Sequence, residues 1–301
     1  AQHTGMARCL YQGDAAFRAT VDEGLSYLAP DVAEEIRSVW LGAGGGEAGR
    51  AFQQPSVQLP AILILEIALA RLWMSWGVTP VALHGHSMGE NAAACVAGVM
   101  SFRDAVRLVR LRGELFDSIE PGGMLSVPMD HESLLALIPA ELDVASVNAP
   151  GLCVVSGRNG DLEAFRADLE KRGVEASRIP IDIAAHSRML DAILPRFEAF
   201  LRSISLQAPA IPIISNRSGD WLTAAQATDP SYWALHLRST VLFAKGMETL
   251  GQRAGHVYIE VGPGRVLSSL AKAQGSIDTN RIINSLPHPE EAWDDRQHFV
   301  C

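Results

Sequence analysis

Cysteine is scarce in this chain: four residues in 301, at Cys9, Cys95, Cys153 and Cys301, with no C-x-x-C pair and no histidine at ligand spacing. No metal site is therefore expected, and scattered thiols in a chain this long suit a reducing, cytoplasmic compartment. Excess positive charge is missing as well, the net charge being −9. Phosphate backbones are held by basic surfaces, so no nucleic-acid partner is expected. No uninterrupted apolar run reaches the roughly 20 residues that span a bilayer. The most apolar segment, Leu59 to Val78, carries Glu66 and Arg71. It reads as a buried helix, with Pro60 in its first turn and Gly77 at its stop, and no membrane partner is expected. A charged n-region followed by an apolar h-region is absent from the opening residues, so no signal peptide is visible. Repeats are absent, and the glycine run from Gly42 to Gly49 reads as a flexible surface connection.

What is present is the composition of a globular protein with a large core, 48% hydrophobic and 20% charged. The length allows one large domain, or a large domain and a small one. Helical spacing marks Phe17 to Leu28. Another helix runs on from Ser101, whose side chain suits an N-cap. Between Gly122 and Ile183 the pattern changes to β-α-β-β-α-β: GMLSVP, HESLLALI, LDVASVNA, LCVVSG, LEAFRADLEKRG and ASRIPID. That order is the split-βαβ, ferredoxin-like unit. Inserted into a larger α/β domain, it creates a cleft between the two, where sites tend to lie.

The segment VALHGHSMGENAAACVAGV contains Gly85-His86-Ser87-Met88-Gly89, which fits G-x-S-x-G. In a nucleophile elbow a strand turns sharply into a helix, with glycines where the turn is cramped, and the serine Oγ stands at the helix N-terminus. Backbone N–H groups there, chiefly that of Met88, are placed to stabilise a developing oxyanion. A glycine-rich turn with an incidental serine also matches the five residues. The strand before and the helix after favour the nucleophile.

A nucleophilic serine needs a base. His186, in IDIAAHSRML, ends the last strand of the inserted unit and faces the cleft; taken alone it also reads as a surface histidine opening the next helix. His84 and His86 flank the serine, but a tight elbow points both away from Oγ. The remaining feature is Arg112. Its helical neighbours Ala105, Leu108, Val109, Leu115, Phe116 and Ile119 are all apolar, so the guanidinium lies on a buried stripe and must find an anion. An internal Asp or Glu would serve, and so would a substrate carboxylate gripped by the two-pronged arginine fork. An acyl group for the serine and a free carboxylate for the arginine together describe a malonyl-type thioester.

GHSMGE, the arginine twenty-five residues after the serine, AAHS, IISNRSG, YWALHLRSTVLF and YIEVGPGRVL stand in order along nearly the whole chain. Together they resemble the acyltransferase domains of modular type I polyketide synthases, which are related to malonyl-CoA:acyl-carrier-protein transacylases. The resemblance implies an α/β-hydrolase-like core with an inserted ferredoxin-like subdomain. The large subdomain would take residues 1–121 and 185–287, the small one 122–184, and a post-domain linker 288–301. It implies a ping-pong transfer with no bound cofactor: acyl-CoA, as malonyl-CoA or methylmalonyl-CoA, loads Ser87, and the acyl group passes to the phosphopantetheine of an acyl carrier protein.

His186 would be general base and then acid, Met88 N–H an oxyanion donor, and Arg112 the carboxylate clamp. A main-chain carbonyl at or near His236 would orient His186, and Asn148 would line the cleft. Three departures follow from the same resemblance. The family opens with GQGxQ, of which only Ala1-Gln2 stands here, suggesting a piece of something longer and leaving the second oxyanion donor outside it. The family's QP is here Leu59-Pro60, with Gln58 one position earlier. The specificity signature, HAFH or YASH, is here Ile183-Ala184-Ala185-His186. Ala185 leaves a more open pocket than phenylalanine, whereas Met88 after the serine favours malonyl. Partners implied are an acyl carrier protein and a neighbouring ketosynthase with its linker. The rival readings are a serine hydrolase or thioesterase, which would pair the histidine with an acid and carry no buried arginine, and a docking or scaffold domain that has lost catalysis.

Overall fold

The computed structural model describes residues 2–42, 46–252 and 255–287. The expected linker after 287 lies outside the described residues, and of the glycine run only the ends are described. Its C-terminal part, with the residues after it, forms a short helix, Gly46–Ala51.

The long apolar helix runs Pro55–Ser75 at the centre of the main core. By length and composition it could cross a membrane, but most of it is buried inside the fold. It starts five residues before the expected first turn, with Pro55 rather than Pro60 at the first position. Pro60 is thus interior, where it has no N–H for the Ser56 carbonyl. That carbonyl instead accepts from Arg110 Nη1 at 2.7 Å, from the neighbouring helix. Gly77, with φ of 90°, ends the helix at the stop expected from the sequence.

The Phe102–Asp117 helix starts at Ser101, whose hydroxyl accepts from Asp104 N–H. Its buried stripe of Ala105, Leu108, Val109, Leu115 and Phe116 packs on the long helix. The two helices approach closely at Gly113, where a Cβ would stand 2.5 Å from the Pro55 carbonyl oxygen and from Ser56 Cα. Gly113→Ala is therefore expected to destabilise the fold by about 1–3 kcal/mol, because backbone cannot yield as a side-chain tip does. Denaturant unfolding measures this; unchanged stability would mean the helices slide apart freely.

Strand content in this part of the chain is low. Leu83–His84 pairs in parallel with Ile213–Ile214, and Tyr258–Glu260 with Ile282–Asn284. Between these pairs lies a cavity of about 210 Å³, on the back of the Gly89–Val96 helix and lined by His84, Ala93, Glu66 and Tyr258 among others. Ser87 is not among the residues that line it.

Residues 123–179 form a separate layer with its own core, including Leu125, Val127, Val155, Phe165 and Leu169. Its four-stranded antiparallel sheet runs in the order Asp143–Ala149, Leu152–Gly157, Gly123–Val127, Ser177–Ile179. His131–Leu135 and Asn159–Lys171 supply the two helices. The edge strand joins the rest of the molecule through Val241, whose N–H and carbonyl bond Ala145 and Val147. The whole is a mixed α/β fold.

Candidate active site

Strand Leu83–His84 ends at Gly85, and helix Gly89–Val96 begins four residues later. A Cβ on Gly85 would lie 2.0 Å from the Gly89 carbonyl carbon and 2.2 Å from Glu90 N, so only glycine passes there. Gly89 faces open space, so the cramped-turn argument holds for the first glycine and not for the second. Ser87 itself adopts φ of 53°, a left-handed conformation that costs a non-glycine residue about 1–3 kcal/mol. His186 does the same, with φ of 57°.

These two residues meet: Ser87 Oγ lies 2.7 Å from His186 Nε2. His186 Nδ1 lies 2.8 Å from the Ser239 carbonyl oxygen. A carbonyl only accepts, so Nδ1 carries the proton and Nε2 presents its lone pair to the serine hydroxyl. This corrects the expected orienting group, which is Ser239 and not His236. The Pro230–Arg238 helix still holds the His236 backbone in its last turn, and the chain becomes extended at Ser239, turning that carbonyl outward. The His236 side chain is itself buried, beside Glu90. Burial holds His186 well below the usual histidine range, with the His236 ring, the Arg112 guanidinium and His86 adding to it. The imidazole is neutral in the resting site.

Arg112 completes the cluster. It is 3% exposed, and its Nη2 stands 3.1 Å from Ser87 Oγ. Its Nη1 reaches Asn91 Oδ1 at 3.4 Å, and the guanidinium carbon lies 5.3 Å from the centre of the Phe116 ring. Among the described residues no carboxylate pairs with it, and its buried Nε has no acceptor. Burial pushes the guanidinium down to about 10. Of the two anions open to it in the sequence, the internal one is not among the described residues.

The other expected residues divide. Met88 is the N-cap of the helix, and no hydrogen bond among the described residues takes up its N–H. Asn148 Oδ1 lies 2.8 Å from His86 Nε2, so it reaches the elbow through the residue before the serine. His84 turns the other way, stacked on Phe243 at 4.7 Å, and burial pushes it down to about 4. Gln58 donates to the Phe52 carbonyl and accepts from Gln2 Nε2 at 3.3 Å, with no bond to the three central residues. Ile183 packs on the main core, and Ala185 packs against Met124, Ala145 and Val154 of the smaller layer. The segment before His186 therefore crosses from one layer to the other.

Asn216 is a site residue that the sequence does not single out. Its Oδ1 accepts the Ser87 N–H at 2.7 Å and its Nδ2 donates to the Gly85 carbonyl at 2.7 Å, clamping both sides of the elbow. Its one signal is its place in IISNRSG, two residues after a strand that pairs with the strand before the elbow.

Comparison with known proteins places the chain in a family. A family model described as "Acyl transferase domain" matches residues 1–286. A phenolphthiocerol/phthiocerol polyketide synthase from Mycobacterium tuberculosis is 30% identical over 301 residues, all of this chain and 20% of that protein. The chain thus spans about a fifth of that relative. The acyl transferase domain of SpnD, solved in complex with 2-(pent-4-yn-1-yl)malonyl, superposes with a TM-score of 0.92 at 35% identity, over 99% of this chain and 71% of that one. FabD from Acinetobacter baumannii gives 0.84 at 26% identity, over 94% and 90%. The chain belongs to the acyl transferase domain family, and its relatives include polyketide synthases and FabD.

Proposed function

We propose that this domain loads a malonyl-type extender unit from coenzyme A onto the phosphopantetheine of an acyl carrier protein, through an acyl-Ser87 intermediate. The observation that carries the reading is Arg112: a buried cation without a carboxylate partner among the described residues, 3.1 Å from Ser87 Oγ. An acyl group on Ser87 with a carboxylate one carbon beyond its carbonyl places that carboxylate within reach of the guanidinium fork. His186 Nε2 takes the Ser87 proton as Oγ attacks the thioester carbonyl, and Met88 N–H faces the developing oxyanion. The proton passes from His186 to the departing coenzyme A sulfur. In the second half His186 takes the proton of the phosphopantetheine thiol, whose sulfur attacks the acyl-serine, and returns it to Ser87 Oγ.

Malonyl is the favoured extender and methylmalonyl the next. The small Ala185 leaves room for a 2-substituent, and the similar SpnD domain was solved with a 2-substituted malonyl; Met88 weighs toward malonyl. In this reading residues 1–121 and 185–287 form an α/β-hydrolase-like large subdomain and 122–184 a ferredoxin-like insert. The antiparallel order of the four-stranded sheet supports the insert. The domain works in a cytoplasmic multidomain synthase beside a ketosynthase, without a bound cofactor.

Intact-protein mass spectrometry after brief exposure to an equimolar mixture of malonyl-, methylmalonyl- and bulkier 2-substituted malonyl-CoA tests this. A malonyl adduct is expected to dominate, to map to Ser87 and to be absent from Ser87→Ala. It should leave on addition of a carrier protein faster than in buffer alone. An adduct lost to water just as fast would identify a hydrolase, and an unmodified serine a scaffold.

A further inference from the structure

A buried acid–histidine pair lies behind the Ser87–His186 dyad, and no step of the transfer uses it. Glu90 is fully buried and His236 is 1% exposed, with His236 Nε2 3.3 Å from Glu90 Oε2. The carboxylate accepts two more donors, the Asn216 N–H at 2.7 Å and the Tyr232 hydroxyl. Burial alone would push Glu90 upward. The neighbouring His236 and the hydrogen bonds from His236, Tyr232 and Asn216 outweigh it and hold the acid below the usual carboxylate range. Keeping a carboxylate ionised in a core is costly unless every lone pair is well partnered.

The pair connects both halves of the dyad. Glu90 sits in the first turn of the helix that follows Ser87. Its hold on Asn216 N–H fixes the residue whose side chain clamps Ser87 N–H and the Gly85 carbonyl. His236 sits in the last turn of the helix beyond which Ser239 offers its carbonyl to His186 Nδ1. The His236 ring also lies edge-on to the His186 ring, with centroids 6.0 Å apart. One buried contact thus joins the segment that carries the nucleophile to the segment that orients the base. Both Ser87 and His186 hold left-handed backbones, which persist only where the surroundings over-determine them.

We propose that Glu90 and His236 are positioning residues that, through Asn216 and the Ser239 carbonyl, set the reach between Ser87 Oγ and His186 Nε2. This rests on reading Ser87 as nucleophile and His186 as base, but not on the identity of the acyl group. Among the described residues the groups facing His236 are Glu90, Asn216, Trp233, His186 and, through its charge, His86. Those facing His186 are Ser87, Arg112, His86, His236 and the Ser239 carbonyl.

The test uses the full chain with His236→Leu, His236→Gln and Glu90→Gln, and two probes. One is malonyl-CoA in rapid-quench acylation. The other is a fluorophosphonate, which labels an activated serine and has no carboxylate for Arg112. His236→Leu and Glu90→Gln are expected to slow acylation at saturating malonyl-CoA about 100-fold, with KM within about threefold, since a small misplacement costs about that much. Fluorophosphonate labelling should slow by the same factor. His236→Gln, which keeps a donor for Glu90, should recover about tenfold of the loss.

The acid limb of the kcat/KM profile should move upward in both His236 variants, because the His236 ring disfavours charge on His186. If titration of reactive serines shows fewer active molecules, each with wild-type kcat, the pair is merely structural and the proposal falls. Slow malonyl acylation with wild-type labelling also overturns it. Should none of the three fold, Tyr232→Phe removes one hydroxyl from Glu90; it is expected to lower kcat about fivefold at unchanged KM, and an unchanged kcat overturns the proposal. Wild-type protein that takes the fluorophosphonate and refuses malonyl-CoA would sink the substrate reading and leave this test standing.

Discussion

Arg112→Ala is expected to lower kcat/KM for malonyl-CoA about a thousand-fold while leaving the protein as stable as before or more so. The first half follows from what the guanidinium does when a carboxylate arrives. Truncating one partner of a buried, hydrogen-bonded charge pair costs about 2–5 kcal/mol, and about 4 kcal/mol is a factor of about a thousand. The second half follows from what it lacks beforehand. In the resting site it is 3% exposed, its Nε has no acceptor among the described residues, and burial pushes it down to about 10. A buried cation without a counter-ion is a cost to the fold, so removing it relieves the fold. Arg112→Leu, which keeps the packing on Phe116, should raise the unfolding free energy by about 1–2 kcal/mol. Steady-state kinetics and denaturant unfolding read the two halves separately. Acetyl-CoA and other uncharged thioesters supply the control. Their kcat/KM should hold or rise in Arg112→Ala, since their acyl groups offer the guanidinium nothing. Malonyl transfer that survives undiminished would remove the carboxylate from the proposed substrate.

Much of the site is legible in the sequence because its parts carry chemistry that periodicity exposes. Ser87 stands between glycines at a strand-to-helix turn. Arg112 is a charge on an apolar stripe, and a stripe is read from spacing alone. What spacing does not give is how a chain leaves a helix. Spacing puts the orienting carbonyl at or near His236, but the Pro230–Arg238 helix spends its last-turn carbonyls differently from the extended residue after it, and Ser239 is the one turned outward. Backbone acceptors have no sequence signature, so an error of three residues is invisible before folding. Asn216 and Glu90 escape the sequence for the opposite reason. Each is polar and fully enclosed, and sequence reads such residues as surface unless the fold shows what surrounds them. Pro60 reads as a helix start because the Ser56 carbonyl's substitute donor, Arg110, lies 54 residues away. The strands of 123–157 have five to seven residues and show in the pattern, whereas the ladders of the larger layer run only two or three residues, so the strand before the elbow is shorter than the apolar run that marks it.

His186→Ala is expected to reduce the acylation rate about a thousand-fold with little change in KM, since general-base assistance is worth about 10²–10⁴. The pH dependence says more about how the site works. Desolvation is the largest influence on the ring, followed by His236, Arg112 and His86, and all four disfavour the imidazolium. The free enzyme's base is therefore neutral well below pH 6.5, and the acid limb of kcat/KM should lie well below that value. Binding changes one of the four. A substrate carboxylate on Arg112 offsets its positive charge, which weakens the penalty on charged His186 and raises the ring's affinity for a proton. The acid limb of kcat, which reports the bound complex, should therefore lie at higher pH than the limb of kcat/KM. Arg112→Ala removes the same charge without any substrate, so its kcat/KM limb should move up toward the wild-type kcat limb. Both shifts have one cause and must share a direction. An acid limb that stays put in Arg112→Ala would mean that the guanidinium acts on the carboxylate alone. Coupling of the kind expected here would mean that a carboxylated acyl group, in docking, also readies His186 to hold the proton it takes from Ser87.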